Sequence, residues 1–508
     1  MSTAGPEKQL PSSKEGSIAV EAVPEPTYVS PNVKEGDVHN AALLEEHGST
    51  WNSPDDPNDP HNWQSSCKIL ISVIVSFGQL VTLMSTSMMA SALSQIGHDL
   101  GIDDSITQIT FSSFILGLAF APLPIAALSE MFGRKPVWLV CNAWYILWNA
   151  LCPVDSSLPL MIIGRFLAGS GASVGITLTG PIMADMYWKE HRGKSLAIAT
   201  FVPYLGPALG PVIGGLITQK LAWPWLFWVL SMFDAVITLV GLFFLKETYT
   251  PVLLRRKTAA RIDPDHEISQ NPLSMASRRD FYHRLSANLV RPIRLLVHRP
   301  IMQVIALIIA LNFGIYCLLL STFASLWIDR YGQSEFTSSL HYISISVGTT
   351  IATQAGGPSM DYIFRRLKAR SRDGSTTPEF RVPYLVPGVV LVPAGLFWYG
   401  WAAETGMHWA MVDAGVVISV CGNFILSQGM LAYLLDEFHH AASANAASRV
   451  LSNVLGFAFP IFAPQMYSKL GYGWGNSMLA FVFVALGWPA PLILWKWGAK
   501  LRSLGRGK

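Results

Sequence analysis

The residues of this chain that could do chemistry are ionisable side chains inside long apolar stretches. Asp234 is the clearest. It sits 11 residues from each end of the apolar run 223–245, at the midplane of any bilayer that run crosses. A carboxyl there can take up a proton or hold a cationic solute, and it is costly when ionised without a partner. Arg165, seven residues into the run 158–185, and Arg449, inside 441–466, pose the same problem with the opposite sign. A central arginine costs at least about 2.5–3.5 kcal/mol on insertion scales, so each should face a cavity or a partner. His341 and Asp413 are further candidates. No Gly-x4-Gly-Lys-[Ser/Thr] nucleotide loop occurs. The five cysteines, at 67, 141, 152, 317 and 421, form no close pair, so neither a disulfide framework nor a zinc site follows. Such groups move a solute rather than make bonds. No catalytic residue, cofactor or metal is expected.

The stretches that hold these residues set the architecture. The chain has 508 residues, 51% hydrophobic and only 14% charged. That charge content is too low to cover a water-facing surface of this size. The net charge of +3 gives no reason to expect a nucleic-acid partner. Twelve apolar stretches long enough to span a bilayer run at 67–89, 106–128, 136–154, 158–185, 195–218, 223–245, 301–325, 337–357, 383–403, 409–434, 441–466 and 475–497. With the N-terminus inside, the six odd-to-even connections hold three basic residues, Lys220, Arg330 and Lys469, and the other connections and ends hold 31. This asymmetry places both termini in the cytoplasm. The expected fold is an all-α polytopic membrane protein with twelve transmembrane helices in two six-helix halves. Residues 1–66 read as a disordered cytoplasmic tail without a cleavable signal, 67–245 as the N-terminal half and 246–300 as a cytoplasmic central loop. Residues 301–497 form the C-terminal half and 498–508 a cytoplasmic tail.

Several motifs carry mechanism. The second-to-third connection reads Glu130-Met-Phe-Gly133-Arg134-Lys135, and the eighth-to-ninth reads Asp361-Tyr-Ile-Phe-Arg365-Arg366. Each sets an acid at a span end with basic residues four and five positions on. The fourth span carries Gly164-Arg165, then Gly169 and Gly171. The fifth carries Gly206-Pro207-Ala-Leu-Gly210-Pro211-Val-Ile-Gly214-Gly215. Its glycines recur every four residues and bare one face for close helix approach, while the prolines remove backbone donors. Asp56-Pro57-Asn-Asp59-Pro60 precedes the first span and Lys246-Glu247-Thr248-Tyr249 follows the sixth.

These motifs resemble those of the major facilitator superfamily, and in particular its fungal twelve-span drug:proton antiporter family, over about residues 50–508. The family pattern has Gly at Ala126, Asp at Glu130 and Arg at Met131, and an Arg near Ser452 where this chain has Arg449 one turn earlier. The resemblance implies a cytoplasmic gate at Glu130, Gly133, Arg134, Lys135, Asp361 and Arg365, shut by charge contacts that break on opening. It also implies that the fifth-span motif, Gly206, Pro207, Gly210, Pro211, Gly214 and Gly215, marks export.

Polar stripes at helical spacing point to the cleft. They contribute Gln79 in the first span, Asp234 in the sixth, Asn312 in the seventh, His341 in the eighth, and Arg449 with Asn453 in the eleventh. With Arg165 these form the expected proton-coupling and cavity set. The expected function is proton-coupled export of amphipathic small molecules by alternating access, with drugs, fungicides, polyamines or a self-made toxin as cargo. A proton-driven importer is the alternative of the same class. A membrane enzyme or sensor is the alternative of another class, and it lacks a catalytic constellation or a folded soluble domain. The expected partners are a small-molecule substrate, protons and the lipid bilayer. The chain is expected to be a monomer in the plasma membrane, with a vacuolar or other internal membrane as the alternative.

Overall fold

The computed structural model describes residues 50–53, 55–187, 202–262, 290, 292–370, 377–438 and 441–504. The chain divides into two units, 1–55 and 56–508. Residues 50–53 and 55 of the first unit are described, none of them in a helix. All regular structure among the described residues is helical. At bilayer depth a backbone must satisfy its own hydrogen bonds, and the helix does so within one segment.

The expected stretches fall on helices α1–α12. In the first six, α1 is Ser65–Ser87, α2 is Asp104–Phe120 continued by Pro122–Phe132, α3 is Arg134–Leu151, α4 is Leu158–Met186, α5 is Gly206–Lys220 and α6 is Pro224–Phe244. In the second six, α7 is Pro300–Ser325, α8 is Ile343–Arg370, α9 is Val382–Glu404 and α10 is Trp409–Glu437. The run Ala441–Gly487 breaks at Gly471, whose φ is 69°. It therefore gives α11 (441–470) and α12 (472–487), the latter continued by Pro489–Ser503. The expected start of the fifth stretch, 195–201, lies outside the described residues, as does most of the central loop.

Seven helical runs among the described residues are long and apolar enough to cross a membrane. One of them, Ala444–Ser503, covers both α11 and α12, and α2 qualifies as a span bent by 44°. Polar content holds back the others. The α3 helix opens on Arg134 and Lys135, Ser, Thr and Gly dilute α8, and α5, which takes up the end of the fifth stretch, is only 15 residues long. Of the expected tail, 1–49 and 54 lie outside the described residues, and contacts gather at its end. Asp56 accepts the Asn58 amide at 3.0 Å and ion-pairs Lys257 at 3.1 Å, and Lys68 donates to the His61 carbonyl at 2.7 Å.

Pro122 explains the bend in α2. It has no N–H for the Leu118 carbonyl four residues back, and its ring crowds that carbonyl. The freed oxygen accepts the Asn453 amide from α11 at 3.2 Å. Glycines set the closest packing. A Cβ on Gly117 of α2 would strike the Phe166 carbonyl, and one on Gly169 of α4 would strike the Phe114 carbonyl, so the two backbones touch. In α5, Gly206, Gly210 and Gly214 lie against Leu83, Ser87 and Ser91 on or just after α1. Gly215 turns the other way, against Ser339.

The buried apolar residues form three clusters whose distribution is lopsided. One joins α1–α4 and α6 near the ends rich in Lys and Arg. A second is drawn from α7 and α9–α12 alone. The third gathers residues from both sets, including Met88, Phe111 and Phe227 with Phe323, Trp327 and Tyr342, at the basic-poor ends. Among the described residues the two sets thus share one core at the basic-poor end and keep separate cores at the basic-rich end, so the cleft between them opens towards the basic-rich end.

Gly210 tests the packing. A Cβ there would lie 2.9 Å from the Met84 carbonyl, whereas nothing lies within 4 Å of a Cβ on Gly180. Gly210→Leu should lower stability by about 1–3 kcal/mol, seen as a lower thermal midpoint of the purified protein. Gly180→Leu should leave the midpoint near that of the parent.

Candidate functional site

Asp234 is fully buried on α6. Both of its carboxylate oxygens lack a hydrogen-bond partner among the described residues. Around it lies a polar group contributed by neighbouring helices. Asn149 of α3 donates to the Phe227 carbonyl at 2.8 Å and to the Ser231 hydroxyl at 2.9 Å, one turn before Asp234. Tyr145 shares a hydrogen bond with Ser85 of α1 and lies within electrostatic reach of both Asp234 and Arg165.

Arg165 does not pair with Asp234 among the described residues. Its guanidinium donates to the Ser85 carbonyl at 3.2 Å and lies over the Phe114 ring at 4.4 Å, with Phe227 at 5.9 Å. Carbonyl oxygens and ring faces thus stand in for water. Gln79 is buried on α1, and its side-chain oxygen has no partner.

The other set of helices is arranged differently. Asn312 of α7 and Asn423 of α10 each donate to the other's backbone carbonyl at 2.9 Å, and Asn312 also donates to Ser427 at 3.0 Å. Asn312 therefore fastens two helices together. Asn453 holds the freed Leu118 carbonyl across the two sets. His341 sits at the basic-poor end, stacked on Trp327 at 3.6 Å and bonded to Asp413 at 2.7 Å and Gln333 at 3.0 Å. Arg449 is exposed yet deep within the protein. It makes no hydrogen bond or ion pair among the described residues.

The basic-rich connections are tied within each set. Arg134 pairs with Asp185 of α4 at 3.2 Å, donates to Ser129 at 2.6 Å and lies over the Tyr249 ring at 4.5 Å. The Glu247 carboxylate caps α3, accepting from the N–H groups of Arg134 at 2.8 Å and Lys135 at 3.2 Å. An anion belongs at a helix N-terminus. Gly133, at φ 101°, fits there because a Cβ would strike that carboxylate. Lys135 donates to the Leu242 carbonyl at 2.9 Å. Glu130 is exposed and forms no ion pair among the described residues. The contacts of this connection therefore bind α3, α4 and the segment after α6 to one another. Among the described residues none of these contacts crosses to the second set.

In the second set the cation at the centre is Arg381. It donates to Asp436 at 2.8 Å and lies 3.9 Å from Asp361. Among the described residues Arg365 reaches only the Asp361 carbonyl, at 3.3 Å. Arg502 bridges Glu379 at 2.8 Å and Glu437 at 3.3 Å. These pairs account for a connection, 435–440, that holds two acids and no basic residue. Sequence reasoning missed Asp185, Tyr145 and Asn149. It quoted Glu247 without seeing that Glu247 caps α3; the signal was a Gly-Arg-Lys helix start with no capping side chain of its own.

A sequence model for the Major Facilitator Superfamily matches residues 75–460. The chain is 38% identical over 427 residues to a protein of Aspergillus flavus named probable efflux pump mfs2, covering 82% of this chain and 99% of that one. It is 36% identical over 460 residues to a protein of Penicillium aethiopicum named efflux pump vrtL, covering 90% of each. Among solved structures, the xylose transporter XylE of E. coli in a partially occluded inward open conformation aligns with a TM-score of 0.61 at 15% identity, covering 85% of this chain and 98% of that one. That likeness concerns the fold alone. With most of its length matched and its relatives alike over most of theirs, the chain belongs to the Major Facilitator Superfamily.

Proposed function

We propose that this protein is a proton-coupled exporter of amphipathic small molecules. It works by alternating access as a monomer in the plasma membrane, with both termini cytoplasmic. Residues 67–245 and 301–497 act as the two rocking halves and 246–300 links them. On this reading the cleft opens inward, where a cytoplasmic solute enters. Similarity to proteins named efflux pumps supports the direction, as does the glycine-proline face of α5 packed on α1.

The observation that carries the proposal is the isolation of Asp234. An ionised carboxylate with no donor at that depth would cost several kcal/mol, so the arrangement suits the protonated acid. To release its proton the carboxyl needs water or a cation. The Tyr145 hydroxyl, within electrostatic reach of both Asp234 and Arg165, is the group placed to respond when the helices shift. Asp234 binds and releases the coupling proton, Arg165 compensates its charge, and Asn149 with Ser231 fixes α3 against α6. The Arg134, Asp185 and Glu247 cluster keeps the inner ends of α2, α3 and α4 moving as one piece.

Two experiments test this. In Asp234→Asn, proton-driven efflux should collapse while energy-independent substrate exchange and surface level stay near normal, because exchange needs no net proton movement. Normal efflux would remove Asp234 from coupling. Arg134→Ala and Asp185→Asn should each slow efflux per molecule without changing substrate affinity. The double variant should be little slower than the worse single one, since both remove the same contact; fully additive losses would separate the two residues.

A further inference from the structure

Among the described residues the charged groups at depth are nearly all provided for. Arg165 has carbonyls and ring faces, Arg134 has Asp185, and His341 has Asp413. Asp234 can be neutralised by a proton. Arg449 is the exception. It is a permanent cation eight residues into α11, about 12 Å along the helix, with no carboxylate against it among the described residues. The titratable group within electrostatic reach is the Tyr204 phenol, from the turn Pro203–Leu205 before α5.

Tyr204 begins an aromatic wall. Its ring meets Phe424 of α10 edge-on at 6.2 Å, and Phe424 meets Tyr316 of α7 edge-on at 6.0 Å. Tyr316 lies 6.2 Å from Phe313 at an interplanar angle of 31°. The wall passes from the first set of helices to the second, and the Tyr316 hydroxyl has no hydrogen-bond partner. Phe313 in turn packs at 2.9 Å from a Cβ position on Gly456 of α11. The cleft thus places Arg449, unpaired among the described residues, within electrostatic reach of the Tyr204 end of the wall, and Gly456, two turns on along α11, against its Phe313 end.

We infer that this is the solute site and that it takes an aromatic carboxylate. The inference rests on the exporter reading, since it names that exporter's cargo class. A planar guanidinium matches a carboxylate through two parallel hydrogen bonds, and a flat ring finds edge and face partners in the wall. Polyamines and other cationic drugs would meet Arg449 with like charge and are disfavoured.

The test uses the purified full-length chain and three probes of one shape: naphthoate, naphthamide and naphthylmethylammonium. Calorimetry should show naphthoate binding about 10- to 100-fold more tightly than either of the others. Arg449→Gln should erase that advantage while leaving naphthamide affinity unchanged, which also shows that the variant is folded. Arg449→Lys should retain part of the advantage. Equal binding of the three probes, or unchanged naphthoate binding by Arg449→Gln, would overturn the inference. So would a loss of naphthamide binding as large as that of naphthoate. Vesicles with an imposed proton gradient separate this from the exporter reading: naphthoate that is bound as expected but not moved refutes proton-driven export and leaves the site standing.

Discussion

The cost of leaving a polar group unmet at bilayer depth governs this structure. Because backbone groups must be met within the segment, every span is a helix. Where Pro122 breaks the ladder in α2, the Leu118 carbonyl is met by Asn453 from the other set of helices. Where Arg165 is buried, two carbonyls and the Phe114 ring surround it. Where α3 begins at the membrane surface, Glu247 meets its first N–H groups. Each local solution also fixes a neighbour: Asn453 ties α11 to α2, Arg165 ties α4 to α1, and Glu247 ties the segment after α6 to α3. The same rule that forces helices therefore supplies much of the specific packing.

Much of the fold was legible because the signals were long. Runs of about 20 apolar residues and the placement of 36 basic residues average over local irregularity, and among the described residues each expected stretch falls on helix, the eighth divided between the short helix Glu335–Leu340 and α8. The glycine face of α5 was also legible, since a four-residue repeat of Gly maps onto a single side, although only the structure says that Gly215 faces away from that side towards Ser339.

The site was legible in types more than in partners. Asp234, Arg165 and Arg449 stand out because charge is rare in apolar runs. What meets a charge is not written nearby: Arg165 is met by Ser85 and Phe111, and Arg134 by Asp185, 51 residues away. Polar stripes could not separate glue from cleft. The sequence assigns Asn312 and His341 to such stripes, yet Asn312 clamps α7 to α10, and His341 caps the short helix Glu335–Leu340 ahead of α8, stacked on Trp327 and held by Asp413. Helical spacing gives the face of a helix, while function depends on what that face meets, and that is set by contacts far apart in the sequence.

On the proposed reading, the proton and the solute occupy different halves. Asp234 lies among α1, α3, α4 and α6, and Arg449 lies on α11 beside the α7–α10 aromatic wall. The two groups share no hydrogen-bond partner, so neither can signal to the other by direct competition. Coupling then has to pass through contacts that cross between the halves. Among the described residues two serve near mid-depth: Asn453 on the Leu118 carbonyl, and Tyr204, in edge contact with Phe424 and within electrostatic reach of Arg449. Both depend on proline. Pro122 frees the carbonyl, and Pro203 opens the turn that carries Tyr204 ahead of the glycine-proline face. A shift of α6 on deprotonation would press on α1, since Phe233 and Phe77 are in edge contact at 6.3 Å, and α1 is the helix against which α5 is packed. The path from acid to cation thus runs through α6, α1 and α5 to Tyr204, along surfaces that glycine keeps close enough to transmit a small displacement.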